Sequence, residues 1–251
     1  MYEQNLKFGQ TIIVCGSRPC VGTSTAASII ASYFAAKEDK TLLLSTDYNH
    51  PYDAISLLSD IVADYYMDEM VALENSSGLT PGNFDDYASY VSDNLAYSRL
   101  STKLSGITKD VGRTLARILD TACRVYRYVV LDLDYQSIGL IQKLVQQPGV
   151  IVYLFGQDFQ SLKTAEAIAE RNAEETAAVM LPVLMNCMSD IPVNEATLNK
   201  IFKSDVSASI EHDTEIFKSA QKQDIAEFVF RGVSGKQSGL KALFKRKSES
   251  E

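Results

Sequence analysis

Five short stretches of this chain are apolar through their interiors: Thr11–Gly16 (TIIVCG), Thr41–Ser45 (TLLLS), Tyr128–Asp132 (YVVLD), Val150–Phe155 (VIVYLF) and Val179–Asn186 (VMLPVLMN). None shows the apolar–polar alternation of a strand with one wet face. Each therefore predicts a strand covered on both sides. Helical spacing fills the intervals. Residues 23–36, for example, place Ile29, Ile30, Tyr33 and Phe34 on one side of a helix. Further helices are predicted over 51–66, 84–95, 108–126, 137–146 and 161–177. Beyond the fifth strand come helices over 195–202 and 215–231, with a short strand over 207–211 between them. Ser76–Gly82 (SSGLTPG) reads as a loop. Doubly buried strands alternating with helices predict an α/β fold, a doubly wound, mostly parallel sheet flanked by helices.

The 251 residues suit one such domain, and 46% hydrophobic content excludes a largely disordered chain. We expect that domain over residues 1–238 and a short basic amphipathic tail over 239–251. No apolar run approaches the ~20 residues of a spanning helix. Met1–Gln10 lacks a basic segment followed by an apolar one, so no secretory leader is expected. Cys15, Cys20, Cys123 and Cys187 are scattered and form no CxxC pair, which argues against a disulfide framework or a zinc site. A cytoplasmic protein is expected.

The net charge is −8. Specific nucleic-acid binding is not expected, because a basic surplus or stripe is missing. No Lys or Arg occurs from Thr41 to Ser98, where Asp47, Asp53, Asp60, Asp64, Asp68, Glu69, Glu74, Asp85, Asp86 and Asp93 recur. The plain reading is a solvated face; the sharper one is a surface for a basic protein partner.

In a doubly wound sheet, ligands bind beyond the carboxyl ends of the strands. The loop after the first strand is Gly16-Ser-Arg-Pro-Cys-Val-Gly-Thr-Ser-Thr25, and it runs straight into a helix. Backbone N–H groups and a helix N-terminus in such a turn favour an anion. The Walker A pattern G-x-x-x-x-G-K-[ST] is approached with one extra residue and with Thr23 where the Lys belongs.

This loop resembles the deviant Walker A box of the ParA/MinD family, (G/S)-K-G-G-V-G-K-T-T. On that resemblance Gly16 opens the loop and Arg18 stands for the signature Lys, which in the family reaches across a dimer interface. Pro19 and Cys20 replace two glycines, while Val21 and Gly22 match. Thr23 replaces the phosphate-binding Lys, Ser24 matches the magnesium-ligating hydroxyl, and Thr25 matches the residue after it. Leu42-Leu-Leu-Ser-Thr-Asp47-Tyr-Asn-His-Pro51 is similar to the family's L-L-I-D-A-D-L-x-x-P, with the water-orienting acid kept as Asp47. Tyr126-Arg-Tyr-Val-Val-Leu-Asp132 is similar to the Walker B strand Y-D-Y-I-I-I-D. Leu184-Met-Asn186 matches the strand whose Asn contacts adenine, and Ile210–Ala220 is similar to the segment beside the base. Their order along residues 10–235 carries the resemblance more than any one of them does.

The resemblance implies a P-loop NTPase fold, ATP or ADP as ligand, and Mg²⁺ held by Ser24, Asp47 and Asp132. It also implies a homodimer that recruits a protein partner in the spatial organisation of a cellular machine. Within the family the altered loop is most similar to the TadZ/CpaE pilus-assembly localisation proteins. Each residue also has an ordinary role open to it: Asp132 as a strand terminator, Asp47 as a turn residue, Asn186 as a loop cap, Arg18 on the surface. A Walker Lys neutralises phosphate charge, and phosphoryl transfer is mainly positioning and electrostatics. Weak or absent hydrolysis is therefore expected. The alternatives are an active ATPase with relocated phosphate contacts and a nucleotide-free scaffold. In the tail, Leu240, Leu243 and Phe244 form an apolar stripe flanked by Lys241, Lys245, Arg246 and Lys247. Contact of Leu240–Lys247 with an anionic membrane is one reading; a frayed tail, favoured by the acidic end Glu249–Glu251, is the other.

Overall fold

A computed structural model describes residues 9–48, 66–144, 149–175, 179–187 and 208–213, with Ile216, Ala226, Glu227 and Val229. Eight strands form one sheet: β1 (Gln10–Gly16), β2 (Thr41–Ser45), β3 (Ser89–Ser92), β4 (Leu95–Arg99), β5 (Tyr128–Leu133), β6 (Val150–Phe155), β7 (Val179–Cys187) and β8 (Ala208–Glu211). Their spatial order is β3-β4-β2-β5-β1-β6-β7-β8. Only β3 runs antiparallel to its neighbour. The five expected strands are all present and lie side by side, as the doubly wound reading requires.

Both faces are covered, and this explains the missing alternation. Helix α1 (Thr23–Ala35) buries Ala26, Ala27, Ile30, Ala31 and Phe34 against Ile12, Val14, Leu43, Val130 and Val152. Its small residues let the helix approach the sheet closely, and Phe34 stacks on Tyr128 at 4.0 Å between ring centroids. On the other face lie α2 (Met67–Asn75) and α3 (Val111–Ala122). They pack Met67, Met70, Val71, Leu115 and Ile118 against Ile13, Leu42, Leu44, Val129 and Leu131. Asp110 caps α3 by accepting from the Arg113 N–H. Helix α4 (Phe159–Glu175) follows β6. No described helix is long and apolar enough to cross a membrane.

The predicted helix over 84–95 does not form. A single 3₁₀ turn, Phe84–Tyr87, gives way to β3, and Ser92 pairs with Leu95 across a two-residue turn into β4. Asp93-Asn94 is a turn-favouring pair, and here it turns the chain without a left-handed residue. The predicted helix over 108–126 shortens to α3, and that over 137–146 is a 3₁₀ run, Tyr135–Leu140, continued by Ile141–Leu144. The helices expected over 51–66, 195–202 and 215–231, and the tail, lie wholly or mostly outside the described residues. The acidic stretch is not simply a solvated face. Glu74 is buried and paired with Arg117, with Nε at 2.5 Å from Oε1. Asp85 accepts from Lys40 Nζ at 2.7 Å and from the Tyr126 hydroxyl.

Candidate functional site

Four strand ends converge where the sequence places its candidate residues. Gly16 ends β1 opposite Leu154 of β6, and the Ser17 N–H donates to the Leu154 carbonyl. The loop then folds over itself. A Cβ on Gly16 would lie 2.4 Å from Val21 Cγ1 and 2.7 Å from Thr23 Oγ1, so only glycine fits there. Val21 is fully buried and pins the loop to the core. Gly22, at φ 102°, turns the chain into α1, whose first turn receives no side-chain cap. The orphan N–H groups of that turn are the kind of donor set that holds a phosphate.

Two loop residues depart from this economy. Cys20 is exposed and held at φ 59°, a left-handed conformation that strains a residue with a Cβ. Arg18 does not project freely: its Nε lies 3.0 Å from Asp158 Oδ2. Asp158 in turn accepts from the Ser161 N–H at 2.9 Å and the Ser161 hydroxyl at 2.7 Å at the start of α4. Burial acts to raise the Asp158 carboxyl, but these hydrogen bonds and the Arg18 charge hold it below the usual carboxylate range.

Asp132 sits at the end of β5 between Val14 of β1 and Ser45 of β2, and is buried. Ser45 donates to its Oδ2 at 2.9 Å, and Ser24 also hydrogen-bonds its carboxylate. Burial pushes this carboxyl up to about 6, and the nearby Asp47 and Asp134 charges push the same way; the Ser24 and Ser45 hydrogen bonds oppose the rise. Thr46 ties the strand ends together. Its N–H and hydroxyl donate to the Asp132 carbonyl, and its Oγ1 accepts from the Asp134 N–H at 2.8 Å. The Asp47 N–H donates to Ser45 Oγ at 3.3 Å.

Ser24, Asp47 and Asp132 are thus brought to one place. Thr23 and Thr25 lie in the first turn of α1, half-buried. On the other side of the loop, Met185 of β7 comes close to Gly22, whose Cβ would lie 3.1 Å from Met185 Cε. Asn186 is the next residue of that strand, and of it only the backbone is described.

Among the described residues, no group of three Asp, Glu, His or Cys side chains could hold a metal by itself. One hydroxyl and one buried carboxylate instead suit Mg²⁺, which keeps waters and shares its shell with phosphate oxygens. The loop's glycine geometry and the uncapped α1 fit a phosphate chain, while Thr23 brings no charge to it. Residues that sequence reasoning passed over are Ser45 and Thr46, which brace Asp132, and Asp158. The Asp158-x-x-Ser161 spacing, a helix-start pattern, was the available signal for the last.

No family model and no curated protein sequence matches this chain. Its architecture does match solved structures. The ParA family ATPase from Chlorobium tepidum TLS superposes with a TM-score of 0.74 at 14% identity, over 89% of this chain and 98% of that one. The cell division ATPase MinD from Pyrococcus furiosus gives 0.69 at 12% identity, over 89% and 99%. The septum site-determining protein MinD complexed with Mg-ADP, from Pyrococcus horikoshii OT3, gives 0.64 at 12% identity, over 88% and 86%. The fold is that of the ParA/MinD P-loop ATPases.

Proposed function

We propose that this chain binds an adenine nucleotide with Mg²⁺ and uses the bound state to position a protein partner, with hydrolysis slow or absent. The observation that carries this reading is a glycine-shaped loop entering the uncapped α1, with Ser24 of that helix hydrogen-bonded to the buried Asp132, in a loop with Thr23 where a lysine would stand. The Mg-ADP complex of the Pyrococcus horikoshii structure supports the choice of ligand. Bound magnesium neutralises phosphate charge. Ser24 and Asp132 would hold it, with Asp47 beside them orienting water, and the α1 N–H groups would hold the phosphates. Gly16, Val21 and Gly22 shape the loop, Thr23 and Thr25 flank the hydroxyl ligand, and Asn186 reads the base.

Hydrolysis is slow in this reading because Thr23 supplies no positive charge to the transferring phosphoryl group, and Arg18 is engaged by Asp158. Nucleotide-dependent homodimerisation through the loop face, a pilus- or secretion-type partner and membrane contact by Leu240–Lys247 complete the proposal. Calorimetry with ATP, ADP and GTP in Mg²⁺, alongside a phosphate-release assay, tests it. We expect adenine nucleotides to bind below millimolar concentration and turnover to stay at background, in wild type and in Thr23→Lys, where Pro19 and Cys20 still shape the loop. Robust Mg²⁺-dependent turnover by wild type overturns the slow-hydrolysis part. No binding at millimolar nucleotide overturns the whole and leaves a scaffold.

A further inference from the structure

A phosphate chain needs a cation, and the loop after β1 offers none that is free: Thr23 is neutral and Arg18 is engaged by Asp158. A second loop reaches the same end of the sheet. It follows β4, and Asp68 of α2 fastens it. Asp68 Oδ2 accepts from the Ser101 N–H at 2.9 Å and from the Ser101 hydroxyl, and Oδ1 accepts from Thr102 Oγ1 at 3.0 Å. The next residue is Lys103. It lines a cavity of about 200 Å³ together with Thr46, Tyr48, Ser105, Asp134 and Ser137. Thr46 and Asp134 are the residues that hydrogen-bond into the Asp132 strand end. The cavity therefore borders the strand ends that carry the candidate metal site, and no residue of the loop after β1 lines it.

The Lys103 side chain is exposed, and among the described residues it makes no ion pair or hydrogen bond. The Asp68 anchor holds the two residues that precede Lys103. An ammonium beside the Ser105 and Ser137 hydroxyls and the Tyr48 phenol is a receptor for phosphate oxygens. Asp134 makes the cavity mixed in sign. That suits a phosphate carrying a divalent cation, whose charge would offset the carboxylate.

We infer that Lys103 supplies, from the loop after β4, the cation for the terminal phosphate of a bound nucleoside triphosphate. This inference rests on the nucleotide reading above and adds to it a preference for ATP over ADP. The test is calorimetry of Mg-ATP and Mg-ADP with wild type, Lys103→Ala and Lys103→Arg, with inorganic phosphate as competitor and with thermal melting of the unliganded proteins as a control for folding. Lys103→Ala should weaken ATP about tenfold, the scale of one charge-assisted hydrogen bond. It should leave ADP within about twofold, and Lys103→Arg should restore most of the loss. Inorganic phosphate should compete with ATP for wild type weakly, and less still for Lys103→Ala.

Melting should be unchanged, since the side chain is exposed. If wild type binds ATP and Lys103→Ala binds it equally well, or loses ATP and ADP alike, the inference falls and the nucleotide reading stands. If wild type binds neither nucleotide, both fall.

Discussion

The loop after β1 and the paired ends of β2 and β5 face the same site and are built in opposite ways. The loop is defined by its shape, and its one cation is engaged elsewhere. Gly16 and Gly22 still make the turns, and α1 still starts uncapped, yet Thr23 is neutral and Arg18 is turned onto Asp158. The strand ends keep their charge at an energetic penalty. Asp132 stays buried with Asp47 and Asp134 nearby, braced by hydroxyls that only partly offset the desolvation. On the proposed reading, the loop would hold the phosphates by its shape and the strand ends would hold the metal by their charge.

The largest expected effect breaks the shape on the loop side. In Gly16→Ala the new methyl meets the buried Val21 side chain at 2.4 Å. Val21 has nowhere to go, so the variant should lose on the order of 2–3 kcal/mol in urea unfolding, the range of an overpacked core position. Nucleotide binding should disappear with it. A variant that folds at wild-type stability would show that the loop is not closely packed.

The second effect sharpens the charge side. An unfolded Asp titrates near ~3.9, whereas Asp132 in the folded chain is pushed up to about 6. Between these values the native state holds a proton that the unfolded state has lost, so this group's contribution to stability falls as pH rises through that window and is lowest above it. Asp132→Asn removes the dependence. Its stability gain over wild type should be near zero at pH 4 and reach on the order of 2 kcal/mol by pH 7, read from paired melts. The same variant should lose the Mg²⁺ dependence of nucleotide affinity, and wild type should lose it below pH 6 as the carboxyl takes up its proton.

The core strands were legible because burial on both faces leaves one signature, a run without polar interruption. The segment 84–95 was not, because Phe84, Tyr87, Ala88, Val91 and Leu95 satisfy a helical spacing while Ser89–Ser92 and Leu95–Arg99 also satisfy an edge hairpin. In so short a stretch periodicity cannot decide, and Asp93-Asn94 does. Of the site, Asp132, Ser24 and Asp47 could be found from their order along the chain. The contacts of Arg18 with Asp158 and of Thr46 with Asp132 span 140 and 86 residues, and such separations exist only once the sheet order is known.

A smaller effect separates shape from strain within the loop. Cys20 sits at φ 59° and is exposed, so its side chain contributes little packing to offset a left-handed backbone. That conformation costs about 1–2 kcal/mol for a residue with a Cβ, against about 0.4–1 kcal/mol of extra unfolded-state freedom for glycine. Cys20→Gly should therefore stabilise the chain by up to about 1 kcal/mol and leave Asp132 titrating as before. A destabilised Cys20→Gly would mean the thiol makes contacts that offset the strain.

The smallest effect on folding concerns the one charge the loop retains. The Arg18–Asp158 pair is over two-fifths exposed on each side, so its removal should change stability by no more than about 0.5 kcal/mol. Its effect on ligand binding should be larger, because the carboxylate and a phosphate compete for the same guanidinium. Asp158→Asn keeps an oxygen able to accept from the Ser161 N–H, so the start of α4 survives while the negative charge goes. Arg18 is then released toward the loop, and ATP affinity should rise by about three- to fivefold, the effect of roughly 1 kcal/mol. Arg18→Ala should move affinity the other way and weaken any ATP-dependent dimer seen by light scattering more than it weakens folding. If Asp158→Asn binds ATP no better than wild type, Arg18 is a surface residue held by a surface partner, and the loop brings no charge to the ligand.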